Sequence, residues 1–247
     1  TPASPMSFSL YDVPHNADLD PRFDESLMRI AAASGPVACV WQAPRGLVVP
    51  RTYLRSGTFE SASQDFADQG WPVTVRHSGG GVVPQGPGIL NVSLAYAVEG
   101  RPLDHSDAAY QQLCDVMAQA AGHVGIPTCT RAVEGSFCDG RFNLAHDTNG
   151  QARKVAGTAQ LWRRQPGPDG TALQVVLVHG LLLVATDVVV ATQKANELEE
   201  ALGNARRYLP ERAASLHTLT PGPVADAPRF VSEIAEALKK AIRAQRR

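Results

Sequence analysis

Along the chain, apolar residues switch between helical spacing and short unbroken runs, and each switch marks an element. In residues 22–33, Phe23, Leu27, Ile30 and Ala31 recur at helical spacing, and Ser34-Gly35-Pro36 ends the helix. Apolar runs at 37–42 and 47–49 flank Ala43-Pro44-Arg45-Gly46 and predict a β-hairpin. Residues 61–69 predict a short helix capped by Ser61 or Ser63, and 72–76 a strand entering Gly79-Gly80-Gly81. The gapless stretch 89–98 predicts a buried strand. Behind a cap at Asp104 or Ser106, residues 106–122 present Leu113, Val116, Met117 and Ala120 on one helix face.

Three further strands are predicted at 154–163, 173–178 and 181–185, the first two joined by the turn Gln165-Pro166-Gly167-Pro168-Asp169-Gly170. Helices at 193–201 and 229–247 lie either side of Thr220-Pro221-Gly222-Pro223. Strands and helices mixed without βαβ alternation predict an α+β fold with a largely antiparallel sheet. The expected division is a catalytic domain over 1–190 and a helical C-terminal extension over 191–247 packed on it.

Composition narrows the function classes. The 247 residues are 44% hydrophobic and 19% charged, enough for one sizeable core. Lys and Arg number 23 against 24 Asp and Glu, a net charge of -1, so nothing in the overall field favours nucleic acid. The apolar run at 175–184 is interrupted by His179 and Gly180 and falls short of the roughly 20 residues that span a bilayer. The chain starts at Thr1, and its first residues carry no basic stretch followed by an apolar segment. A cytoplasmic location without membrane contact is expected. Four cysteines without a CxxC pair predict neither a disulfide framework nor a metal site.

Three segments carry chemistry. Arg76-His77-Ser78-Gly79-Gly80-Gly81 follows a strand, and its glycines let backbone N–H groups approach an oxygen of a ligand while Arg76 adds charge. The spacing matches neither a Walker loop nor a dinucleotide fingerprint. Arg153-Lys154-Val155-Ala156-Gly157-Thr158-Ala159 sets a lysine among small residues, where an ammonium can meet a phosphate or an acyl carbonyl. Glu134-Gly135-Ser136-Phe137-Cys138-Asp139-Gly140 sets a cysteine in a glycine-bearing, charged loop, less suited to inert burial than Cys39 or Cys114.

These motifs resemble the family of biotin and lipoate protein ligases and octanoyltransferases. That family carries an arginine before Ser-Gly-Gly-Gly, a turn into Leu-Asn, then Lys-Val-Ala/Ser-Gly-Ser/Thr-Ala and a later His-Gly. Arg76, Ser78 to Gly81, Leu90-Asn91, Lys154 to Ala159 and His179-Gly180 supply them in order, and the resemblance covers roughly residues 20–220. It implies a class II synthetase and biotin-synthetase type of catalytic domain, with a mixed, largely antiparallel sheet and flanking helices. It also implies that Arg76, Ser78, Gly79, Gly80, Gly81, Asn91, Gly157, Thr158, Ala159, His179 and Gly180 hold the acyl group or its adenylate. The implied acceptor is a lysine on a lipoyl domain, such as an E2 subunit or the glycine-cleavage H protein; an acyl carrier protein is an alternative donor. Gln85 and Leu181 depart from the family, which has His or Asp and Thr or Ser there.

The resemblance leaves two chemistries. Gly135 to Leu144 looks like the cysteine loop of the octanoyl amidotransferases, which implies that Cys138 and Lys154 are catalytic, a thioester forms on Cys138, and no cofactor is required. The alternative is an ATP- and Mg-dependent ligase, in which Gly140-Arg141-Phe142-Asn143-Leu144 stands for a segment whose acidic residue is here Asn143. A non-catalytic lipoyl- or biotin-binding relative is the third reading. The basic helix end at 239–247 is read as cations placed favourably for the helix dipole.

Overall fold

The computed structural model describes residues 7–13 and 19–245. In chain order the strands are β1 (Ser9–Leu10), β2 (Val37–Trp41), β3 (Gly46–Pro50), β4 (Val73–Arg76), β5 (Val83–Gln85), β6 (Ile89–Val98), β7 (Cys129–Thr130), β8 (Leu144–Thr148), β9 (Gln151–Pro166) and β10 (Ala172–Leu183). The helices are α1 (Leu27–Ser34), α2 (Phe59–Asp68), α3 (Pro102–His123), α4 (Val188–Ala201), α5 (Leu216–Leu219) and α6 (Ala227–Ala244). Seven strands form one sheet in the order β1-β2-β6-β10-β9-β8-β7, and a second sheet runs β4-β3-β5. Among the described strands only β1 with β2 and β3 with β4 pair in parallel, so the α+β, largely antiparallel reading describes the fold.

The period of two along a strand sorts the core. On β10, Val176, Val178 and Leu182 face α3 and α6, while Val175 and Leu177 join Leu27, Met28 and Ala31 of α1 on the other face. Farther along that second face, Leu181 and Leu183 enter a separate cluster with Leu47 and Val49 of the small sheet and Leu198 of α4. On β6, Ala95 belongs to the α1 cluster and Ile89 to the small-sheet cluster. The positions between are Asn91 and Ser93 on β6 and His179 on β10, with Ser93 opposite His179 in the ladder. One stretch of sheet face between two apolar clusters therefore carries polar side chains. That is where a ligand can enter.

Several sequence expectations need correction. The 37–49 hairpin is absent: β2 pairs with β6 in the large sheet, whereas β3 pairs with β4 and β5, so the intervening residues cross between sheets. The strands expected at 173–178 and 181–185 are one strand, because His179 and Gly180 keep their register on both sides. Helix α3 starts at Pro102, which fills the first turn without needing its missing N–H. Asp104 and Ser106 therefore lie inside the helix. Neither Ser61 nor Ser63 caps α2: Ser61 Oγ donates back to Thr58 O, and buried Ser63 Oγ has no partner. Helix α4 begins at Val188, ahead of the expected 193, because Asp187 accepts from the N–H groups of Val189 and Val190. Phe23–Ser26 form a tight turn of 3₁₀ type before α1. In the 229–247 expectation, 246 and 247 lie outside the described residues.

Candidate active site

Two sheets and one irregular loop enclose the site. The large sheet supplies a floor of Asn91, His179, Gly157, Thr158, Ala159, Gly180 and Leu181; β3, β4 and β5 supply Val48, Arg76, Val83 and Gln85 opposite. Asp24 and Glu25 edge the pocket, Trp41 walls it, and Cys138 opens into it. The space between these walls is about 570 Å³ when the open solvent at its mouth is included. Small residues keep the floor low. A Cβ on Gly157 would stand 2.8 Å from Lys154 Nζ.

The Cys138 loop is held by backbone chemistry. Cys138 adopts φ 47°, an uncommon conformation for a residue with a side chain. Lys154, 0% exposed, reaches under the loop from β9 and donates Nζ to Phe137 O at 2.7 Å and Cys138 O at 3.0 Å. Its ring-side neighbour is Phe137, with Nζ 4.9 Å from the ring centroid. On the other side Gly81 N donates to Cys138 Sγ at 3.2 Å, and Arg76 Nη2 stands 4.0 Å from that sulfur. Arg76 is fixed in turn by Val48 O, Gly79 O and Gly81 O. The glycine run is required here: Gly80 has φ +110°, and a Cβ there would lie 2.8 Å from Cys138 Sγ and 2.9 Å from Arg76 Nη2.

These neighbours set the charge states. Burial alone would raise the Cys138 thiol, but the Lys154 and Arg76 cations and the Gly81 N–H outweigh it and hold the thiol below the ordinary cysteine value. Burial pushes Lys154 down to about 8, with the thiolate and Asp139 favouring its charged form. Arg76 is also lowered by burial, against the pull of the thiolate. The expected ammonium is present, but its hydrogen bonds go to the two loop carbonyls.

Of the remaining expected residues, Asn91, Gly157, Thr158, Ala159, His179 and Gly180 line the cavity, whereas Ser78 reaches it only through His179 and Gly79 to Gly81 lie behind Cys138 and Arg76. Ser78 Oγ lies 2.9 Å from His179 Nε2, and Thr158 Oγ1 donates to Phe142 O at 2.8 Å, tying the floor to the loop after Cys138. Asn91 and Gln85 exchange side-chain hydrogen bonds at 3.0 and 2.9 Å, so each satisfies the other beneath the pocket. A Cβ on Gly180 would meet Gly157 O at 2.6 Å, which keeps β9 and β10 close. Asn143 Nδ2 donates to Asp139 Oδ1 at 3.3 Å, and the same oxygen accepts from Val133 N.

Sequence reasoning missed Asp24, Trp41, Ser93, Tyr53 and Glu199. Asp24 Oδ2 accepts from His179 Nδ1 at 2.7 Å and Ser93 Oγ at 2.8 Å, and Ser93 Oγ accepts from Trp41 Nε1 at 3.1 Å. Buried Glu199 accepts the hydroxyls of Tyr53 and Tyr208, and Tyr53 Oη accepts from Val82 N, which anchors the end of the glycine run. The polar interruptions at Asn91 and Ser93 in an apolar strand were a signal available in the sequence. Asp24 and Glu199 sit in helical stretches whose pattern gave none.

Comparison with known proteins agrees with this architecture. A family model, the lipoyl protein ligase A/B catalytic domain, matches residues 20–243. An uncharacterized protein of Cupriavidus necator is 46% identical over 246 residues, covering 96% of this chain and 97% of that one. An octanoyl-[GcvH]:protein N-octanoyltransferase of Kyrpidia tusciae is 33% identical over 215 residues, covering 87% and 73% respectively. Among solved structures, a lipoate-protein ligase A bound with ATP superposes with a TM-score of 0.65 at 16% identity, covering 96% of this chain and 84% of that one. The chain thus belongs to the lipoyl protein ligase A/B catalytic domain family and is an enzyme of that family.

Proposed function

We propose that this enzyme moves an octanoyl or lipoyl group between lipoyl-type domains through a thioester on Cys138, without ATP. The carrying observation is the Cys138 thiol, which opens into the cavity with Gly81 N–H at 3.2 Å and lies under the influence of two buried cations. A thiolate so favoured is a nucleophile at neutral pH. Trp41, Val48, Val83 and Leu181 line an apolar stretch suited to an eight-carbon chain.

In the first half-reaction the Cys138 thiolate attacks the acyl carbonyl on the donor. The acyl–nitrogen or acyl–sulfur bond of the donor breaks, its leaving group takes up a proton, and the Cys138 thioester forms. In the second, the unprotonated amine of an acceptor lysine attacks the thioester. The amide forms, the amine gives up a proton and the thiolate is restored. Arg76, Lys154 and Gly81 N–H stabilise the sulfur anion at both ends. The relatives' names point to octanoylated glycine-cleavage H protein as donor, and lipoyl-domain lysines are the acceptors.

In the ATP-dependent alternative, Lys154 would face a phosphate. Here its Nζ is committed to two loop carbonyls and Asn143 replaces the expected acid, which supports the transferase reading. The test is transfer from octanoylated H protein to a lipoyl domain with ATP and Mg²⁺ omitted, followed by intact mass. An acyl-enzyme and octanoylated acceptor are expected. Strict ATP dependence with pyrophosphate release would establish the ligase instead.

A further inference from the structure

Transfer to a lysine needs a group that takes a proton from the attacking amine, and the Cys138 loop offers no free one. Lys154 is fully buried, does not line the cavity, and spends its Nζ on Phe137 O and Cys138 O. Arg76 remains a cation. On the cavity floor, however, His179 and Asp24 form a hydrogen-bonded pair, and both line the cavity that Cys138 opens into. We infer that His179, oriented by Asp24, is the general base for the acceptor amine. The inference rests on the transferase reading above and deepens it.

For a neutral ring, the hydrogen-bond directions select the tautomer. Trp41 Nε1 can only donate, so Ser93 Oγ accepts from it and sends its own proton to Asp24 Oδ2. Asp24 thus acts as an acceptor and receives His179 Nδ1–H at 2.7 Å as well. Nε2 is left with a lone pair, which Ser78 Oγ–H occupies at 2.9 Å until an amine displaces it. Asp24 is 1% exposed and held by Ser93, and the ring's two partners, Asp24 at Nδ1 and Ser78 at Nε2, keep it from turning. A carboxylate that fixes the imidazole tautomer and stabilises the imidazolium is the arrangement general bases use. In the step itself, the amine nitrogen bonds to the thioester carbon, its proton passes to Nε2, and the carbon–sulfur bond breaks to release the Cys138 thiolate. The imidazolium then returns its proton to solvent.

The experiment loads Cys138 from octanoylated H protein, isolates the acyl-enzyme, and follows its loss by intact mass in a single turnover. Two acceptors are compared: a lipoyl domain, and hydroxylamine, a nucleophile already unprotonated at neutral pH. For His179→Gln, hydroxylamine cleavage of the acyl-enzyme should stay within about threefold of the parent, whereas loading from octanoylated H protein should slow as much as lysine transfer does, because it is the same amide step run in reverse. Lipoyl-domain transfer should fall by on the order of a hundredfold, the usual contribution of a general base. For Asp24→Asn, transfer to the lysine should fall about tenfold with the same selectivity; this variant decides the matter alone if His179→Gln does not fold. Lysine transfer at the parent rate, or an equal slowing of lysine and hydroxylamine, would overturn the assignment. Failure of the parent enzyme to form an acyl-enzyme would remove the transferase reading itself.

Discussion

Cys39, Cys114 and Cys138 are chemically identical, the first two buried and the third half-buried at the cavity wall, yet it is their surroundings that set them apart. Cys39 lies in β2 among Met28, Val37 and Trp41, and burial pushes its thiol up to about 12. Cys114 lies on α3 in the main core, and burial pushes it to about 11. Cys138 stands in an irregular loop on two cations and a backbone N–H, and its thiol is lowered. Burial disfavours the thiolate in all three, so it does not separate them; the charges buried alongside do. Such charges are costly to bury alone, and the loop carbonyls that accept from Lys154 and Arg76 offset that cost.

The sharpest way to break this comparison is to remove the one sulfur said to react. Cys138→Ser should lose the hydroxylamine-sensitive acyl-enzyme and on the order of a thousandfold in turnover, since a hydroxyl is hardly ionised at neutral pH. Turnover near the parent rate in that variant would take Cys138 out of the mechanism.

Next in size is Lys154→Met, which keeps the apolar stem and deletes the charge. The thiol should then titrate at higher pH than in the parent, read from the absorbance of the thiolate. The stability sign follows from the same groups. Lys154 falls from 10.5 to about 8 on folding and Cys138 falls from 9.0, so the unfolded chain binds more protons through this window. Parent stability should therefore rise with pH from about 8 towards 10, and Lys154→Met should flatten that slope. Unchanged thiol titration would show that the cation acts only on the loop carbonyls.

Gly80→Ala should act more gently but on both neighbours at once. The new methyl group would press on Cys138 Sγ and Arg76 Nη2 from a backbone at φ +110°. A cost of about 1 kcal/mol in stability is expected from the conformation alone, with acyl loading slowed about tenfold or more. Loading at the parent rate would mean that the loop can retreat from the thiol.

How much of this was legible in sequence follows from where each constraint lies. Gly79 to Gly81, Cys138, Lys154 and His179 stand in local motifs whose residue types limit what they can do; Cys138 and His179 line one cavity, and Gly81 and Lys154 touch the Cys138 loop from outside it. Asp24 and Glu199 act through partners 155 and 146 residues away, His179 and Tyr53, and no local pattern announces such pairs. The false hairpin had the same origin. Two adjacent apolar runs look alike whether they pair with each other or with β6 and β5, and that choice depends on long-range register.

The smallest expected effect tests the inert side of the comparison. Cys114 Sγ sits 3.6 Å from Phe142 O, whose other partner is Thr158 Oγ1, so this thiol lies just beneath the segment that follows the Cys138 loop. If position rather than charge made a cysteine reactive, Cys114 would be a rival nucleophile. Its raised thiol says otherwise: at neutral pH it stays protonated and acts as a small apolar side chain. Cys114→Ala should therefore leave acyl-enzyme formation and turnover within about twofold, while thermal denaturation reports a loss of roughly 1 kcal/mol from the vacated core volume. Alkylation counted by intact mass should find Cys138 modified first, exposed Cys129 more slowly, and Cys39 and Cys114 only after unfolding. A Cys114→Ala enzyme that folds but no longer loads the acyl group would contradict the separation of the three thiols by their neighbouring charges, because this variant alters none of those charges.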